Sequence, residues 1–559
     1  MSSEAAAAPK ALVVTAMRAR RLRDALLALH PAYVLGALVA VQWAAVLSFA
    51  LTVRHNGWLY YAGGDQLWHY SGAYLLAHGH LPPTLVGYGW SILLLPIAFF
   101  AGPNLVAALP AMVLFNTLVL LPLALLCIYG IAARIAGRLF GYFAAALWIA
   151  FPYLGILFLE PGYHQKYTEL TVPQAVGLSS VPDFPSTVGL IVSAYFCLRA
   201  ADGAGWHTAA GAGLAAGYAI AIKPSNSIFL IVPVLALLVR RWRALLPFAV
   251  ALAPALLTLA VWKYRGLGEL AATPAEPVRL AGGVGGLVDR IHNSELNNFG
   301  HLHDVLLGFR EHFWISRVIE WLPIGGTVAL LIRSRRGFVV IGPWFIAYLL
   351  AKGTYVGASI DDASFFRLFM PAFPAYVILA AAVVLLVPGV RARPATPSFR
   401  LPDRKLTAAV IVAAALFAVL PLSVIAATPP LHDRGRLAEQ LGLSLIPVSP
   451  AINTRAAVEG KAVRLSWRAR PTTGGAVFYR VFRTGGPGGG TVCAGRLNDA
   501  SDDCRLFMDE IGVTRATHFI DHPGAASLTY RIGVAANWLD DFGYGDVYVI
   551  SPAVTVTVR

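Results

Sequence analysis

The chain has 559 residues, of which 57% are hydrophobic and 13% are charged, and its mean hydropathy is +0.64. Such a composition leaves too little polar surface for a soluble globule, and it predicts a polytopic membrane protein. The formal net charge is +15, but the Lys and Arg residues stand in short runs between apolar segments. This pattern is typical of cytoplasmic loops and argues against nucleic-acid binding.

The N-terminal region, residues 1–30, is predicted to be cytoplasmic. A basic run at residues 18–23 precedes a full-length apolar segment, so residues 1–16 do not read as a cleavable signal. The apolar stretch at residues 90–100 is too short to span a bilayer of about 30 Å. It is predicted to be a non-crossing or interfacial helix, like the amphipathic piece at residues 71–80.

The alternation of apolar segments and basic runs predicts about eleven transmembrane crossings. They are residues 34–53, 105–129, 140–159, 185–198, 209–222, 227–239, 245–262, 315–332, 338–350, 368–387 and 408–425. An odd number of crossings from a cytoplasmic start places the C-terminus outside. We therefore expect a helical membrane domain over residues 31–430 and an extracytoplasmic domain over residues 431–559, in a multi-pass protein of the plasma membrane.

The composition changes sharply after Pro430, where polar and apolar residues begin to alternate. Period-two strands separated by Gly, Pro and Asp turns predict a small antiparallel β-sandwich. The order LSW, FYRVFR, THFID and LTYRIGVAAN resembles a fibronectin type III domain, a module that is usually a spacer or a binding unit. Cys493 and Cys504 lie here, and outside the cell they could form a disulfide.

One carboxylate stands among aromatic residues just after the first crossing, in the stretch YYAGGDQLWHY at residues 60–70. An unpaired charge at the edge of a membrane is costly unless it is used, so Asp65 is the leading candidate for the chemical centre.

The predicted topology also collects most other candidate polar residues at the outer face, which indicates an extracytoplasmic site. They are Asp65, His69, Glu160, His164, Lys166, Asp183, Lys223, residues 289–304, Asp361, Asp362 and Arg367.

Four sequence pieces carry a resemblance over residues 30–430. They are Gly64-Asp65-Gln66 in the first outer loop, Asp183 just before an inward helix, the segment GLAAGYAIAIKPSN at residues 213–226, which contains Lys223, and the segment FRLFMPAFP, which contains Arg367. In this order they resemble the polytopic glycosyltransferases of the C superfamily (GT-C fold). That group includes protein mannosyltransferase-like and aminoarabinose transferase-like enzymes, which take a sugar from a polyprenyl phosphate or diphosphate.

The resemblance implies an inverting transferase that uses a polyprenyl-phosphate sugar as donor. The acceptor would be a cell-envelope glycan, a lipid or a protein. Asp65 would be the catalytic base, and Lys223, Arg367, His164 and Lys166 would bind the donor phosphate. Asp183 and His69 would position the acceptor or supply a second acid.

No metal ligands are assigned. Gln66 follows Asp65 where a second acid often stands in this superfamily, so a divalent cation, Mg or Mn, is left as an option.

Simpler roles compete with these assignments. Asp65 and Asp183 can be helix caps, and Lys223 and Arg367 can be interfacial side chains that extend toward water. His164 and Lys166 can belong to a solvated loop. The group His292, Glu295, His301, His303 and Asp304 has metal-binding residue types at irregular spacing.

Two other functions remain open at this point. A transporter or flippase of lipid-linked saccharides predicts repeated halves and charges at the bilayer midplane, neither of which the sequence shows. A non-catalytic envelope scaffold would use the outer sandwich domain for binding and would need no cluster of carboxylates and cations.

Overall fold

The protein is a helical body followed by a β-sheet region, as the sequence predicts. The computed structural model describes residues 21, 23–52, 65–82, 86–101, 105–267, 298–361, 363–395, 403–429, 449–468, 476–484, 509–537 and 547–559. The helices used below are α1 (Pro31–Thr52), α2 (Asp65–Ala77), α3 (Tyr88–Ala101), α4 (Leu105–Phe115), α5 (Leu121–Ala136), α6 (Arg138–Phe158), α7 (Pro161–Lys166), α8 (Val172–Ala175), α9 (Asp183–Ala201), α10 (Trp206–Ile222), α11 (Ile231–Arg241), α12 (Leu245–Leu267), α13 (Phe299–His312), α14 (Ser316–Arg333), α15 (Arg335–Gly353), α16 (Ser364–Phe369), α17 (Phe373–Ala382), α18 (Asp403–Ala414) and α19 (Leu420–Ala427).

Several helical segments are joined without a loop. Short π-helical turns connect α4 to α5, α7 to α8 and α18 to α19, and 3₁₀ turns precede α11, α12 and α17. Proline lies at the start of many of these segments or inside them, where it removes a backbone donor and bends the helix.

Within the described residues, seven helical stretches are long and apolar enough to cross a membrane. They are Pro31–Thr52, Ala108–Ala136, Arg138–Phe158, Asp183–Ala201, Pro224–Arg265, Ser364–Leu386 and Arg404–Ala427. The 42-residue stretch Pro224–Arg265 contains α11 and α12, which the sequence assigns to two crossings. Three other predicted crossings coincide with α10, α14 and α15. The multi-pass helical architecture is therefore confirmed, while the number eleven stays a prediction.

Close packing of α9, α10 and α12 forms the centre of the body. Gly213 and Gly217 of α10 lie against α12, where a Cβ on Gly217 would be 2.8 Å from Ala255. Gly189 of α9 lies equally close to Ala219 of α10. Small residues four apart let helix backbones approach, which is how helices pack where apolar burial gives little drive. The packing fixes the ends of α9 and α10, where the charged residues lie.

The two ends of α9 carry separate groups of charged residues. Asp183 begins the helix, and Asp202 follows its last residue and pairs with Arg134 and Arg336. With 19 residues, α9 separates the two groups by about 28 Å. The basic residues predicted to be cytoplasmic thus lie at one end, and Asp183 lies at the other. Which end faces the cytoplasm stays a prediction from the charge pattern.

The β region forms two antiparallel sheets. Its strands are β1 (Asn453–Glu459), β2 (Ala462–Arg468), β3 (Ala476–Thr484), β4 (Asp509–Thr514), β5 (His518–Asp521), β6 (Ala526–Asn537), β7 (Val547–Ile550) and β8 (Val554–Val558). One sheet has the order β1-β2-β5 and the other β4-β3-β6-β7, with β8 also paired to β6.

The alternation in β2 does what the sequence predicts. Val463, Leu465 and Trp467 point into the core, and the Trp467 ring meets Tyr479 of the other sheet edge to face at 5.4 Å. The sequence missed β1 and β4. Cys493 and Cys504 lie outside the described residues, and so does the predicted domain boundary near residue 430.

Candidate active site

Asp183 is the buried centre of a charged cluster. It is the first residue of α9 and its side chain is fully buried. Lys223, which follows the last residue of α10, donates through Nζ to Oδ1 of Asp183. Arg367 of α16 donates through Nε to Oδ2 at 3.0 Å. Both carboxylate oxygens are therefore held by cations, and the helix N-terminus adds a favourable dipole.

Arg367 also links this buried carboxylate to Asp65. Its Nη2 pairs with Oδ2 of Asp65, the first residue of α2, while its Nε stays on Asp183. The fork of guanidinium donors suits such a bridge, because two separate nitrogens, Nε and Nη2, each meet one carboxylate. The Arg367 and Asp65 side chains are 33% and 38% exposed, whereas the Asp183 side chain is fully buried. The cluster therefore opens on its Asp65 side.

The short helix α3 holds three parts of this cluster in place. Ser91 donates to the backbone oxygen of His69 in α2 at 2.9 Å. Trp90 Nε1 donates to the oxygen of Ser180, three residues before Asp183, at 2.7 Å. Gly89 lies so close to the end of α10 that a Cβ there would be 2.7 Å from the nitrogen of Ile222. The helix predicted to be non-crossing is thus a buried support between Asp65, Asp183 and Lys223.

His69 lies one turn after Asp65 on α2 and is 2% exposed. Burial, aided by the positive charges of Lys223 and Lys263, lowers the pKa of His69 to about 3. The imidazole is therefore neutral near pH 7, and its Nδ1 has no hydrogen-bond partner among the residues that the structure describes. A neutral ring can bind a hydroxyl group but is a poor proton donor, so of its two predicted roles the positioning of an acceptor fits better.

Lys166 and His164 belong to the neighbouring helix α7. Lys166 Nζ donates to the backbone oxygen of Asp361 at 3.1 Å, in the segment that leads to Arg367, and His164 is exposed. His312 stacks on Tyr163 of α7 with ring centroids 4.3 Å apart and approaches Asp361 at 3.3 Å. The structure therefore places Lys166 against the Arg367 segment and His164 at the surface beside it.

Sequence reasoning missed residues of α15 that face the same cluster. Lys352 is 9% exposed and lies within electrostatic reach of Lys223 and Asp183. Tyr348, one turn earlier, donates to Oδ1 of Asn226 at 2.9 Å. A charged residue within an apolar helix is a functional candidate by default, and that signal in the sequence could have identified Lys352.

Capping does not explain the two aspartates. The Asp183 carboxylate contacts Lys223 and Arg367, and its backbone oxygen accepts from the hydroxyls of Ser186 and Thr187. Asp65 likewise directs its carboxylate to Arg367.

The cluster does not fit a divalent cation as it is arranged. Asp65 and Asp183 are the carboxylates that could ligate Mg or Mn, and the guanidinium of Arg367 lies between them. The part of the chain that the structure describes contains no group of three or more His, Cys, Asp or Glu side chains that could hold a metal ion.

The histidine-rich group at residues 292–304 has no metal-binding geometry in its described part. His301 approaches the backbone oxygen of Ala358 at 2.7 Å, and His303 and Asp304 are exposed. His292 and Glu295 lie outside the described residues.

No protein-family model matches the chain, and no curated protein matches it either. Solved structures of the oligosaccharyltransferase of the archaeon Archaeoglobus fulgidus, a glycosyltransferase with the GT-C fold, are similar to it. The apo form gives a TM-score of 0.39 at 12% identity, covering 73% of this chain and 57% of that one. The complex with an inhibitory peptide and a dolichol-phosphate gives 0.36 at 11% identity, with coverage of 73% and 58%. The form tethered to an acceptor peptide gives 0.37 at 13% identity, with coverage of 73% and 57%.

A further structure of that enzyme is a complex with Zn and sulfate. This chain spans 57% of the length of the oligosaccharyltransferase in its apo form, which is less than two thirds. At these TM-scores the likeness is coarse, and the functional proposal below rests on the geometry of the charged cluster.

Proposed function

We propose that the protein is a membrane glycosyltransferase of the GT-C type, which moves a sugar from a polyprenyl-phosphate donor to an acceptor outside the membrane. The observation that carries the proposal is the convergence of Asp65, Asp183, Lys223 and Arg367. They come from four distant parts of the chain and meet at one end of an apolar helical body. A scaffold has no need of such a cluster, and buried ion pairs rarely improve stability over apolar packing.

The chemistry follows from the residue types. A hydroxyl oxygen of the acceptor attacks the anomeric carbon of the donor sugar, and Asp65 accepts the hydroxyl proton. The bond between the anomeric carbon and the phosphate oxygen breaks, and the phosphate leaves with the electron pair. One displacement inverts the configuration at that carbon. Arg367 and Lys223 stabilise the negative charge that grows on the phosphate.

Binding of the donor would also prepare the base. In the described structure Arg367 is shared between Asp65 and Asp183, so Asp65 is engaged by a cation. A phosphate group competes with carboxylates for a guanidinium and can accept two parallel hydrogen bonds from it. We propose that the donor phosphate draws Arg367 away from Asp65, which leaves that carboxylate open to the acceptor hydroxyl. Donor would then bind before acceptor.

Several finer assignments remain part of the proposal. Asp183 holds Arg367 and Lys223 in place, His69 positions the acceptor, and Lys166 and His164 lie at the entrance near Asp361. The site lies on the extracytoplasmic side, and the C-terminal sandwich lies on that side as well. The acceptor is a cell-envelope glycan, a lipid or a protein. Arg367 and Lys223 supply the positive charge in the steps proposed, and a divalent cation, Mg or Mn, stays an option.

The test is sugar transfer in membranes that contain the wild type or Asp65→Asn, with radiolabelled polyprenyl-phosphate sugars and native envelope acceptor. The substitution keeps the size and hydrogen-bonding capacity of the side chain and removes the base. Asp202→Asn is the matched control, because Asp202 is also an ion-paired aspartate but lies at the other end of α9.

We expect transfer by the wild type and by Asp202→Asn, and a loss of about 100-fold or more for a folded Asp65→Asn protein. Equal transfer by wild type and Asp65→Asn would remove Asp65 from the mechanism. No transfer by the wild type with any donor would contradict the proposed enzyme activity.

A further inference from the structure

A polar face of α15 lies against the segment that follows Lys223. Tyr348 and Lys352 are four residues apart, so they lie on the same face of the helix. The fully buried Tyr348 donates its hydroxyl to Oδ1 of Asn226 at 2.9 Å. The backbone nitrogen of Asn226 donates to the oxygen of Lys223 at 2.9 Å. The contacts tie Tyr348 and Asn226 to the position of Lys223, and Lys352 lies on the same helix face as Tyr348.

Asn226 has a buried donor without an acceptor. The residue is fully buried, and its Nδ2 has no hydrogen-bond partner in the described structure. Tyr348 occupies Oδ1 and so fixes the orientation of the amide, which leaves Nδ2 directed elsewhere. A buried donor without an acceptor destabilises the folded protein. Such a group is retained most readily where a ligand supplies the acceptor.

Lys352 brings a positive charge that the paired residues do not balance. Asp65 and Asp183 are matched in number by Lys223 and Arg367, with which they pair. Lys352 adds one cation at 9% exposure, and its Nζ lies 5.8 Å from the centre of the Tyr355 ring. A buried cation in excess, one helical turn from the tyrosine that holds an orphaned amide donor, favours an anion that accepts hydrogen bonds.

We propose that Lys352 and Asn226, beside Lys223, form the subsite that binds the phosphate group of the lipid-linked donor. This inference rests on the proposed function and adds residues that the sequence did not indicate. A phosphodiester carries one negative charge, which Lys352 balances while Lys223 and Arg367 still pair with Asp183. When the bond to the sugar breaks, the electron pair stays on the phosphate as a second negative charge. The proton that Asp65 accepts removes one negative charge from the protein, so the total charge of the site is unchanged.

The subsite makes Lys352 and Asn226 determinants of donor affinity. Lys352→Met should raise the KM for a polyprenyl-phosphate sugar by about ten- to a hundredfold, since a charge-assisted hydrogen bond is lost. The KM for the acceptor should not change, and Lys352→Arg should restore most of the donor affinity. Asn226→Asp keeps the oxygen that accepts from Tyr348 but replaces the amide N–H group by a negative charge. It should therefore raise the KM for the polyprenyl-phosphate sugar at least as much.

Stability separates a binding role from a structural one. Replacing a buried excess charge by an apolar side chain of similar length should leave the thermal unfolding temperature unchanged or raise it. Lys405→Met, at an exposed position of α18, is the matched control and should change neither the KM for the donor nor stability. A marked fall in the unfolding temperature of Lys352→Met would indicate a structural lysine and overturn the proposal.

Competition identifies the source of the phosphate. Polyprenyl phosphate, inorganic phosphate and vesicles of phosphatidylglycerol are each added to the transfer reaction. We expect polyprenyl phosphate to inhibit the wild type and to lose about tenfold in potency against Lys352→Met, with little inhibition by the other two. Equal inhibition by phosphatidylglycerol, relieved in Lys352→Met, would reassign the subsite to ordinary lipid headgroups.

An active wild type with an unchanged KM for the donor in Lys352→Met and Asn226→Asp would refute the subsite alone. An inactive wild type would instead refute the proposed function.

Discussion

Helix α9 carries an aspartate with two cationic partners at each end, and the two arrangements differ in burial and in what surrounds them. Asp202 is 19% exposed and pairs with Arg134 at 3.3 Å and Arg336 at 3.6 Å, and Arg336 is half exposed. Asp183 is fully buried, and its partner Arg367 also holds a second carboxylate. One end ties helices together where basic residues gather, and the other concentrates charge in a small, mostly apolar region.

The surroundings of Asp183 and Asp202 show what distinguishes a structural ion pair from a candidate site. At both ends of α9 the aspartate has two cationic partners, so ion pairing alone does not identify a functional site. The Asp183 end adds a second carboxylate, an excess buried lysine, an orphaned amide donor and a neutral histidine whose Nδ1 has no partner among the described residues. The buried Nε of Arg134 at the Asp202 end also lacks a hydrogen-bond partner there, so the second carboxylate and the excess lysine are what set the Asp183 end apart.

The largest expected effect comes from exchanging each aspartate for its amide. Asp183→Asn leaves Lys223 and Arg367 without their shared carboxylate, and we expect it to cost about 3 kcal/mol of unfolding free energy and to abolish transfer. Asp202→Asn should cost about 1 kcal/mol and preserve transfer, because Asp202 is partly exposed and its partner Arg336 is half exposed. Thermal unfolding and transfer in the same membranes check both. Equal losses of transfer and of unfolding free energy in the two variants would contradict the distinction between the two ends of α9.

Arginine geometry sharpens the comparison at the next level. Arg367→Lys replaces the two nitrogens that meet Asp65 and Asp183 by one, so we expect transfer to fall about 100-fold at constant protein level. Arg336→Lys, at the other end of α9, keeps a single pairing with Asp202 and should transfer at the wild-type rate. If the Arg367→Lys variant transferred sugar at the wild-type rate, the two-pronged geometry of the guanidinium would have no role in catalysis.

A third paired aspartate, in the β region, tests whether buried pairing implies activity. Asp521 accepts from Arg483 and from the hydroxyl of Tyr530 at 2.6 Å. Burial and the bond to Asp521 raise the pKa of Tyr530, so its hydroxyl remains a donor. Tyr530→Phe should cost about 1 to 2 kcal/mol of unfolding free energy. Transfer should persist in the folded protein, and its loss would assign the sandwich a part in the reaction.

The last prediction concerns stability rather than transfer, and it is a pH dependence from His69. Its pKa falls from 6.5 to about 3 in the folded state, so between these values the unfolded chain binds more protons. The wild type should therefore lose stability as pH falls from 6.5 toward 3, by at most about 1.4 kcal/mol per pH unit. His69→Asn, which does not titrate, should lose less. Parallel unfolding curves for the two proteins across this range would contradict the burial of a neutral imidazole.

Much of the fold could be predicted from the sequence because hydropathy and charge are read locally. Every predicted crossing coincides with a helix, and the alternation of Val463, Leu465 and Trp467 fixes the inner face of β2. The strands β1 and β4 were missed, since most side chains of β1 are exposed or half-buried and give no clear period of two. The number of crossings depends on where a 42-residue apolar stretch bends, at Trp242, and composition alone does not fix that point.

The candidate site was predictable in its members but not in its contacts. Asp65, Asp183, Lys223 and Arg367 were placed together by sidedness and by resemblance, whereas the bridge made by Arg367 depends on tertiary packing. The role of α3 as a support depends on Gly89 and Trp90, which read only as parts of a short apolar stretch. Lys352 was passed over because the predicted crossing ends at residue 350, whereas the helix continues to Gly353 and buries Lys352.

The most direct measurement is a cryo-electron microscopy structure of the full chain with a non-hydrolysable polyprenyl-phosphate sugar analogue. The phosphate should lie within hydrogen-bonding distance of Arg367 and Lys352, and the anomeric carbon should face Asp65, which has parted from the guanidinium. A phosphate bound away from these residues, or an Asp65 still paired with Arg367 in the complex, would contradict the assignment of this end of α9 as the active site.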